Sequence, residues 1–388
     1  MRAGRDVRVD AAVLRRAEAW LQHSGICVRN GVGASAGAVY SYYDTQRRAH
    51  TLLYAEAAGY LLSLCRYLHH VGCGGDWIAL GQAGGEWLLS LVEPSRGALV
   101  MGLRGGVVLD QVYAFDNGVC CKGLLDLHEM TGIPGYVEQA ERVASWLVRD
   151  ALNEDGSVKP VLDLSLGRFV ENRRAWFMVS GSFQAKIAMP LLQLSSLLGG
   201  QGFRQAAVRI CEWALAQQRP DGGFPANKLA RRVNLHAHLY TVEALLYAYA
   251  IEGRDDFLTA AARGLVWAAA RQRADGGILL WSNARWGPTA TYAVAQAVRA
   301  FLLLDLLKPD ERLREAAAAG AEFLVRMQAD GPDAAVRGGF FEERRGEIGL
   351  GSRNSHRVTS WTTMFAVHAL HLLSRRGASF TEEIKFLF

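Results

Sequence analysis

Hydrophobic and polar positions follow a helical pattern that recurs six times along the chain. In each block, apolar residues at helix spacing accompany an aromatic residue at a fixed place, and most blocks run on into an Asp-Gly turn. The six aromatic residues are Trp20, Trp87, Trp146, Trp213, Trp267 and Phe323. Because fixed-period self-similarity is the sequence signature of repeat architectures, we expect six similar helical units.

A second set of helix-period stretches lies between these blocks, at residues 51–70, 115–132, 180–198, 238–253, 289–305 and 359–373. These stretches are apolar nearly all round, as in helices buried on most faces, whereas the first set keeps charged positions such as Arg142 and Arg263. The pattern therefore predicts an all-α fold, an (α/α)6 toroid of six inner and six outer helices. An open solenoid is the rival, but neither terminal block has the polar face of a solenoid cap.

Size and composition are compatible with one toroidal domain over residues 1–388. Half of the residues are hydrophobic, and a ring spreads its core so that 388 residues form one domain. No apolar run reaches the roughly 18 residues of a membrane span, and the N-terminal segment lacks the apolar core of a signal peptide. We therefore expect a cytoplasmic protein without a membrane span; the oligomeric state stays open.

Cysteine spacing gives no sign of a metal site. The six cysteines are scattered, mostly within apolar helical stretches, and no CxxC pair is present. Buried free thiols are the expected outcome, without disulfides, a bound metal or a cofactor.

The long connections run from outer to inner helices, through residues 23–48, 157–175, 219–233, 273–287 and 329–356. Connections of one kind emerge on one face of a toroid, so the functional cleft is predicted at the N-terminal ends of the inner helices. These loops and their borders carry cationic and aromatic residues: Arg168, Arg173, Arg174, Lys228, Arg231, Arg232, Arg285, Arg344, Arg345, Arg353, Arg357, Trp176, Trp281, Trp286, Phe340, Phe341 and, at the last inner helix, Trp361. Such a rim suits an anionic, partly apolar ligand, because guanidinium groups pair with carboxylates or phosphates and flat rings stack on sugar faces or prenyl chains. The net charge is only +5 and no nucleic-acid motif accompanies it, so we expect no nucleic-acid partner.

The densest group of candidate catalytic residues opens the fourth inner helix. His236, Tyr240 and Glu243 share one helix face at i, i+4 and i+7, and an imidazole beside a carboxylate serves proton transfer near neutral pH. Asn234 precedes them, and His238 points roughly the other way. The His-x-His pair lacks a third spaced metal ligand.

Two carboxylates and a second histidine complete the candidates. Asp116 opens the second inner helix, as an N-cap or as an acid, base or hydroxyl anchor at the mouth. Glu56 lies in a strongly apolar helix, where a lone carboxylate is costly unless it is hydrogen-bonded. His356 precedes the last inner helix, which neighbours the first in a closed ring. We therefore expect His356 near Glu56 and across the cavity from His236.

Several segments resemble known toroid families. QQRPDGGF and RQRADGGI look like the repeats of terpene cyclases and protein prenyltransferases, but the DxDD, DDxxD and zinc-ligand motifs of those families are missing. NLHAHLYTVEALLYAYAIEGRDDFLTAA resembles the N-acylglucosamine 2-epimerase superfamily, which implies a catalytic histidine at 236 or 238, a carboxylate at Glu243 and, by position, a second histidine at 356. That family's other histidine motif is not evident in RWGPTATYAVAQAV.

Longer stretches, such as FDNGVCCKGLLDLHEMTGIPGYVEQAERVASWLV, look like toroid proteins encoded with bacterial exopolysaccharide genes. The architecture is also similar to six-hairpin unsaturated-uronyl hydrolases and polysaccharide lyases. These resemblances imply a saccharide substrate.

The sequence-based hypothesis is a carbohydrate-active enzyme of bacterial surface-polysaccharide metabolism that abstracts a proton from an acidic or N-acylated sugar, as an epimerase or lyase. His236 is the predicted base or acid, His356 its partner and Tyr240 a hydroxyl donor, while Glu243 orients the imidazole. Arg232, Arg285 and Arg357 neutralise the substrate's charge. The alternatives are a glycoside hydrolase using Asp116 and Glu56, a terpene or prenyl cyclase-like enzyme, and a non-catalytic sugar-binding toroid.

Overall fold

Helices alternate between an outer and an inner layer in the computed structural model, which describes residues 10–29, 35–226, 232–347 and 351–388. The outer helices are α1 (Ala11–His23), α3 (Trp77–Ser90), α5 (Pro134–Trp146), α7 (Gln201–Leu215), α9 (Asp255–Ala269) and α11 (Glu311–Met327). The inner helices are α2 (Ala55–His70), α4 (Ala114–Thr131), α6 (Ala188–Leu198), α8 (Leu235–Glu252), α10 (Thr291–Leu307) and α12 (Ser360–Ser374). The predicted six-and-six arrangement is confirmed, and a short α13 (Phe380–Glu383) follows it.

Shorter helical segments flank some of these helices. A π-helical turn, Leu147–Ala151, continues α5, and a 3-10 segment, Ser182–Ile187, leads into α6. Two further 3-10 turns span Trp176–Met178 and Ile384–Phe386.

The inner helices form a closed ring. Each contacts the next inner helix in chain order, and α12 contacts α2 to complete the circle, while α1 packs on α12. Residues 114–127 of α4 and 235–248 of α8 are buried on every side, as the apolar pattern predicts. The closed toroid, rather than the open solenoid, is the observed architecture.

The recurring glycine turns have a structural explanation. Gly276, with φ of +77°, packs so closely that an added Cβ would lie 1.9 Å from the carbonyl oxygen of Ala319, four residues before Phe323. In each of the six blocks a positive-φ glycine packs against the residue four positions before the next block's aromatic. In five blocks the glycine approaches the carbonyl oxygen of that residue, and in the block of Gly97 it approaches a Cβ atom. The glycine and contacted-residue pairs are Gly37 with Ala83, Gly97 with Arg142, Gly156 with Arg209, Gly222 with Arg263, Gly276 with Ala319, and Gly338 with Arg16. The last pair joins the sixth block to the first, so the repeated contact also closes the outer ring.

Short antiparallel strands occupy the long connections. They are β1 (Tyr42–Asp44), β2 (Ala49–His50), β3 (Leu53–Tyr54), β4 (Gly102–Arg104), β5 (Val107–Val108), β6 (Gln111–Tyr113), β7 (Val161–Asp163), β8 (Arg168–Val170), β9 (Pro288–Ala290), β10 (Phe340–Phe341), β11 (Glu343–Glu347), β12 (Gly351–Asn354) and β13 (Arg357–Thr359). Within the described residues they form four small sheets, in the orders β10-β13-β1-β2, β12-β11-β9, β3-β4-β5 and β6-β7-β8. Strands β3, β6, β9 and β13 run directly into α2, α4, α10 and α12, so the sheets lie at the N-terminal ends of the inner helices.

The C-terminal segment fills the other end of the ring. The ring of Phe388 stacks on His368 at a centroid distance of 5.0 Å, and its backbone oxygen accepts a hydrogen bond from Arg299. The toroid is therefore open at the strand-bearing end and filled at the opposite one.

Candidate active site

One cavity of about 330 Å³ opens where the inner helices begin, at the end that the loop lengths predicted. Its wall combines acidic groups, one imidazole and many aromatic rings. The lining residues are Leu52, Tyr54, Glu56, Met101, Tyr113, Phe115, Asp116, Trp176, Phe177, Phe183, His236, Tyr240, Tyr292, Glu342 and Trp361. The toroid thus gathers residues from both halves of the chain around one space.

Two of the predicted carboxylates face this cavity together. Glu56 lies in the first turn of α2 and Asp116 in the first turn of α4. The N-cap expectation for Asp116 is wrong, because α4 begins at Ala114 with Tyr113 as its cap residue. The Oδ2 atom of Asp116 is buried without a hydrogen-bond partner among the described residues. One oxygen of the Asp116 carboxyl group is therefore available to a molecule in the cavity.

The two carboxyl groups hold protons more readily than isolated ones. Burial raises the pKa of Glu56. Burial, and then the negative charge of Glu56, raises the pKa of Asp116 well above its usual range. The neighbouring hydroxyl of Tyr54 acts in the opposite direction on the pKa of both groups. Like charges in one desolvated site favour a state in which the pair retains a proton.

A chain of hydroxyl groups links α8 to Glu56. The hydroxyl of Tyr60 donates to Oε1 of Glu56 at 3.0 Å, and the hydroxyls of Tyr60 and Tyr240 lie 2.7 Å apart. Since Tyr60 gives its single proton to Glu56, Tyr240 is the donor to Tyr60. Donation to the carboxylate favours the ionised form of Glu56 over that of Asp116.

The imidazole of His236 is held by Gln296 and not by Glu243. Its Nδ1 lies 2.5 Å from Oε1 of Gln296, and Nε2 of Gln296 donates to Oε2 of Glu243 at 3.1 Å. Burial lowers the pKa of His236 to about 3, so the ring is neutral. The predicted direct orientation of His236 by Glu243 is therefore corrected to an indirect one.

Glu243 lies in a buried ion cluster beneath the cavity. Its two oxygens accept hydrogen bonds from Nζ of Lys186 at 2.5 Å and from Nη2 of Arg299 at 2.6 Å. Burial opposes ionisation of Glu243, but the two cations outweigh burial and lower its pKa. Glu243 follows Tyr240 by about one helical turn along α8, so its side chain lies deeper than the cavity wall and does not reach the cavity.

The second histidine does not face the first. His356 is exposed, outside the cavity wall, in the connection before β13. Strand β13 pairs with β1, and this pairing directs His356 towards the rim; its carbonyl oxygen accepts from Thr45. The expected pair of opposed histidines is therefore not formed.

Most of the predicted cationic rim lies outside the wall. Arg232, Arg285 and Arg357 are exposed, and Arg357 lies 3.5 Å from Oε2 of Glu342. Trp286 is 67% exposed, and Trp281 is half-buried in a bridge with Asn234. Trp176 and Trp361 do line the cavity. Lys228 and Arg231 lie outside the described residues.

Asn234 and His238 serve the fold of α8. Asn234 caps the helix by accepting from the amide of Ala237, and His238 is buried against Trp267. Nδ1 of His238 accepts from the amide of Phe224 at 3.0 Å, and Nε2 donates to the carbonyl of Gly264 at 3.1 Å. Both ring nitrogens are thus satisfied away from the cavity, so neither residue reaches a bound substrate.

Sequence reasoning missed several lining residues, among them Tyr54, Phe115, Phe183, Tyr292 and Glu342. Tyr54 and Phe115 flank Glu56 and Asp116 closely in sequence, which was the available signal. The lining includes three carboxyl groups and, among the described residues, no arginine or lysine. The cavity wall is thus acidic and aromatic, whereas the sequence predicted a cationic one.

Comparison with known proteins gives structural matches only. No protein-family profile matches the sequence, and no curated protein matches it. The structure of cellobiose 2-epimerase from Bacillus thermoamylovorans aligns with a TM-score of 0.76 at 9% identity, over 93% of this chain and 100% of that chain. The chain shares its fold with sugar-processing (α/α)6 toroids.

Two further matches extend this set. D-mannose isomerase aligns with a TM-score of 0.72 at 10% identity, over 96% of this chain and 99% of that chain. An unsaturated glucuronyl hydrolase from a Bacillus species aligns with a TM-score of 0.68 at 14% identity, over 93% of this chain and 97% of that chain. At these identities the likeness establishes the fold. Among the described residues, no helix has the length and apolarity needed to cross a bilayer.

Proposed function

We propose that the protein is a carbohydrate-active enzyme that hydrolyses a glycosidic bond in this cavity, with Asp116 as its acid and Glu56 as its base. Two carboxyl groups with raised pKa values, that of the buried Asp116 and that of the half-buried Glu56, face one cavity, and this observation carries the proposal. Glycoside hydrolysis needs one protonated and one ionised carboxyl group, and a pair that shares one retained proton provides both.

The surroundings assign the two roles. Asp116 has the more strongly raised pKa and an unpartnered Oδ2, so it is the general acid that protonates the leaving oxygen. Glu56 accepts the hydroxyl of Tyr60, which stabilises its ionised form, so it is the base that activates water or the group that supports the developing positive charge.

Proton abstraction from a sugar carbon becomes the second candidate. Of the two histidines predicted for a two-base epimerase mechanism, His236 lines the cavity and His356 lies on the rim. An imidazole with a pKa of about 3 is a weak base at neutral pH. One observation favours this second reaction: the tautomer that Gln296 imposes leaves Nε2 of His236 unprotonated, and the ring lines the cavity.

The wall supports a neutral sugar as substrate. Glu56, Asp116 and Glu342 disfavour a carboxylate-bearing ligand, and rings such as Trp176, Trp361 and Tyr292 offer flat apolar faces for stacking. A volume of about 330 Å³ fits a free or chain-end sugar. The anionic substrate and the role in surface polysaccharides stay predictions from the sequence.

A panel assay in deuterated water tests the reaction class. Neutral oligosaccharides, uronic-acid oligosaccharides and N-acetylhexosamines are incubated with the protein. New reducing ends without deuterium at a ring carbon and without an unsaturated-uronate absorbance support hydrolysis. Deuterium at a ring carbon identifies epimerisation, and an unsaturated-uronate absorbance, which appears together with new reducing ends, identifies a lyase. Either of these two signals overturns the hydrolase proposal.

Matched variants assign the residues. Asp116→Asn and Glu56→Gln are each expected to lower kcat by about 10²–10⁴-fold, whereas Arg285→Ala, on the exposed rim, leaves kcat unchanged. Full turnover in Asp116→Asn contradicts its role as acid. Independently of activity, Glu56→Gln removes one negative charge, so carboxyl ¹³C titration is expected to give a lower pKa for Asp116 in that variant than in the wild type.

A further inference from the structure

A second group of reactive side chains lies at the filled end of the toroid, away from the cavity. Glu18 comes from α1, Cys73 from the connection after α2, and His371 from the last turn of α12. Nε2 of His371 lies 2.7 Å from Oε1 of Glu18 and 3.6 Å from Sγ of Cys73. The three donor atoms all lie within 4.8 Å of one another, and the three residues are half-buried.

These separations are close to those of a tetrahedral zinc site. Zinc bonds of about 2.3 Å to sulfur and about 2.0–2.1 Å to nitrogen and oxygen place tetrahedral ligands roughly 3.5 Å apart for S and N, and roughly 3.3 Å apart for N and O. The Sγ to Nε2 distance already has this value. The Glu18 carboxylate has to move back from the imidazole by about 0.6 Å, a movement within reach of a flexible side chain.

We infer that Glu18, Cys73 and His371 form a binding site for Zn²⁺ or a similar soft divalent cation, with water as the fourth ligand. Thiolate and imidazole donors select zinc-like metals over Mg²⁺ and Ca²⁺, which prefer oxygen ligands. One carboxylate and one thiolate neutralise the charge of the ion.

Binding has a defined proton balance. Burial, and then the carboxylate of Glu18, raises the pKa of the Cys73 thiol to about 12, so the metal-free site holds a thiol. The S–H bond breaks as the S–Zn bond forms, and the proton leaves to solvent. In the metal-free site Nε2 of His371 donates to Glu18. On metal binding this hydrogen bond is lost, the neutral ring carries its hydrogen on Nδ1, and the lone pair of Nε2 binds the metal.

The place of the site in the fold indicates a structural role. The outer helix α1 and the inner helix α12 come from opposite ends of the sequence and meet where the ring closes. A metal held by Glu18 and His371 ties these helices together, and Cys73 adds the end of α2. The expectation of no cysteine-bound metal rested on the absence of a CxxC motif, which says nothing about ligands this far apart in sequence.

Cobalt substitution tests the site directly. Co²⁺ is added to the reduced full-length chain, and a thiolate-to-cobalt charge-transfer band is expected to saturate at one equivalent and to disappear when Zn²⁺ is added. Cys73→Ser is expected to lack the band, whereas Cys211→Ala, on the distant α7, keeps it. Absence of the band in the wild type, or its persistence in Cys73→Ser, overturns the inference.

Two further variants separate ligation from folding. His371→Gln and Glu18→Gln are each expected to weaken Zn²⁺ binding by at least about tenfold. Zn²⁺ is expected to raise the Tm of the wild type, because it binds the folded state, and to raise that of either variant less. Equal Zn²⁺-induced shifts in all three proteins contradict the assignment.

Discussion

Nδ1 of His236 lies 2.5 Å from Oε1 of Gln296. The hydrogen bond made by the amide nitrogen of Gln296 determines which of these two atoms carries the hydrogen. Because Nε2 of Gln296 donates to Glu243, its Oε1 is the acceptor and Nδ1 of His236 carries the hydrogen. The Glu243 carboxylate thereby determines the tautomer of an imidazole that it does not touch. Nε2 of His236 is left with a free lone pair.

Opposite tautomers are therefore expected for two histidines that are two residues apart. His236 carries its proton on Nδ1, whereas His238 carries it on Nε2, which donates to the carbonyl of Gly264. Long-range ¹H–¹⁵N correlation spectra recorded at neutral pH distinguish the two tautomers. In Gln296→Leu only the pattern of His236 is expected to change; a common tautomer in the wild type contradicts the hydrogen-bond scheme.

Acid is expected to destabilise the fold through His238. Burial lowers its pKa to about 4, so between pH 6.5 and 4 the unfolded chain binds a proton that the folded chain does not. The contribution of His238 to the free energy of unfolding is therefore fully present above about pH 6.5 and is lost as the pH falls towards 4. Between pH 7 and 5 the loss amounts to at most about 2 kcal/mol, at about 1.4 kcal/mol per pKa unit.

Urea unfolding at both pH values checks this contribution. The drop in the free energy of unfolding between pH 7 and 5 is expected to shrink in His238→Gln and to stay unchanged in His356→Gln, whose side chain is exposed. Glu56 and Asp116 act in the opposite sense in all three proteins, so the comparison isolates His238. An equal drop in His238→Gln contradicts the assignment.

Loss of the buried anion Glu243 is expected to be costly. Glu243→Gln leaves Lys186 and Arg299 buried without their counter-ion and is expected to lower the free energy of unfolding by about 3–5 kcal/mol. Glu212→Gln removes a largely exposed partner of Arg254 and is expected to cost about 0–1 kcal/mol. Denaturant unfolding of both variants makes the comparison, and similar small losses would count against a tightly coupled cluster.

The close approach of Gly276 to Ala319 is expected to make its turn intolerant of any side chain. Gly253, with φ of +67° and open space around it, is a control with the same backbone strain. Gly253→Ala is expected to cost about 1–2 kcal/mol from its left-handed conformation. Gly276→Ala is expected to cost about 1–3 kcal/mol more than Gly253→Ala, because backbone atoms have to move apart. Thermal unfolding compares the two variants; equal losses would show that packing at Ala319 is unimportant.

The sequence was sufficient wherever a periodic pattern within one helix decides the outcome. It predicted inner and outer layers, because apolar residues at helix spacing define which faces are buried. It also predicted that His236 and His238 point apart, because positions two residues apart lie on nearly opposite sides of a helix.

Residue spacing alone gave the wrong depth for Glu243 and the wrong position for His356. Glu243 shares the face of His236, yet it lies too deep for the cavity and pairs with Lys186 and Arg299 instead. His356 follows the pairing of β13 with β1 towards the rim, and no pattern in the sequence specifies that pairing.

The sequence by itself determined the ring of paired helices and the end at which a cavity opens, because local periodicity and connection lengths fix these features. Only the tertiary structure decided which side chains meet. It placed Gln296 beside His236, Glu56 with Asp116, and Cys73 beside Glu18 and His371. These contacts join residues from different helices, and their distances depend on the rotation and depth of each helix in the packed ring.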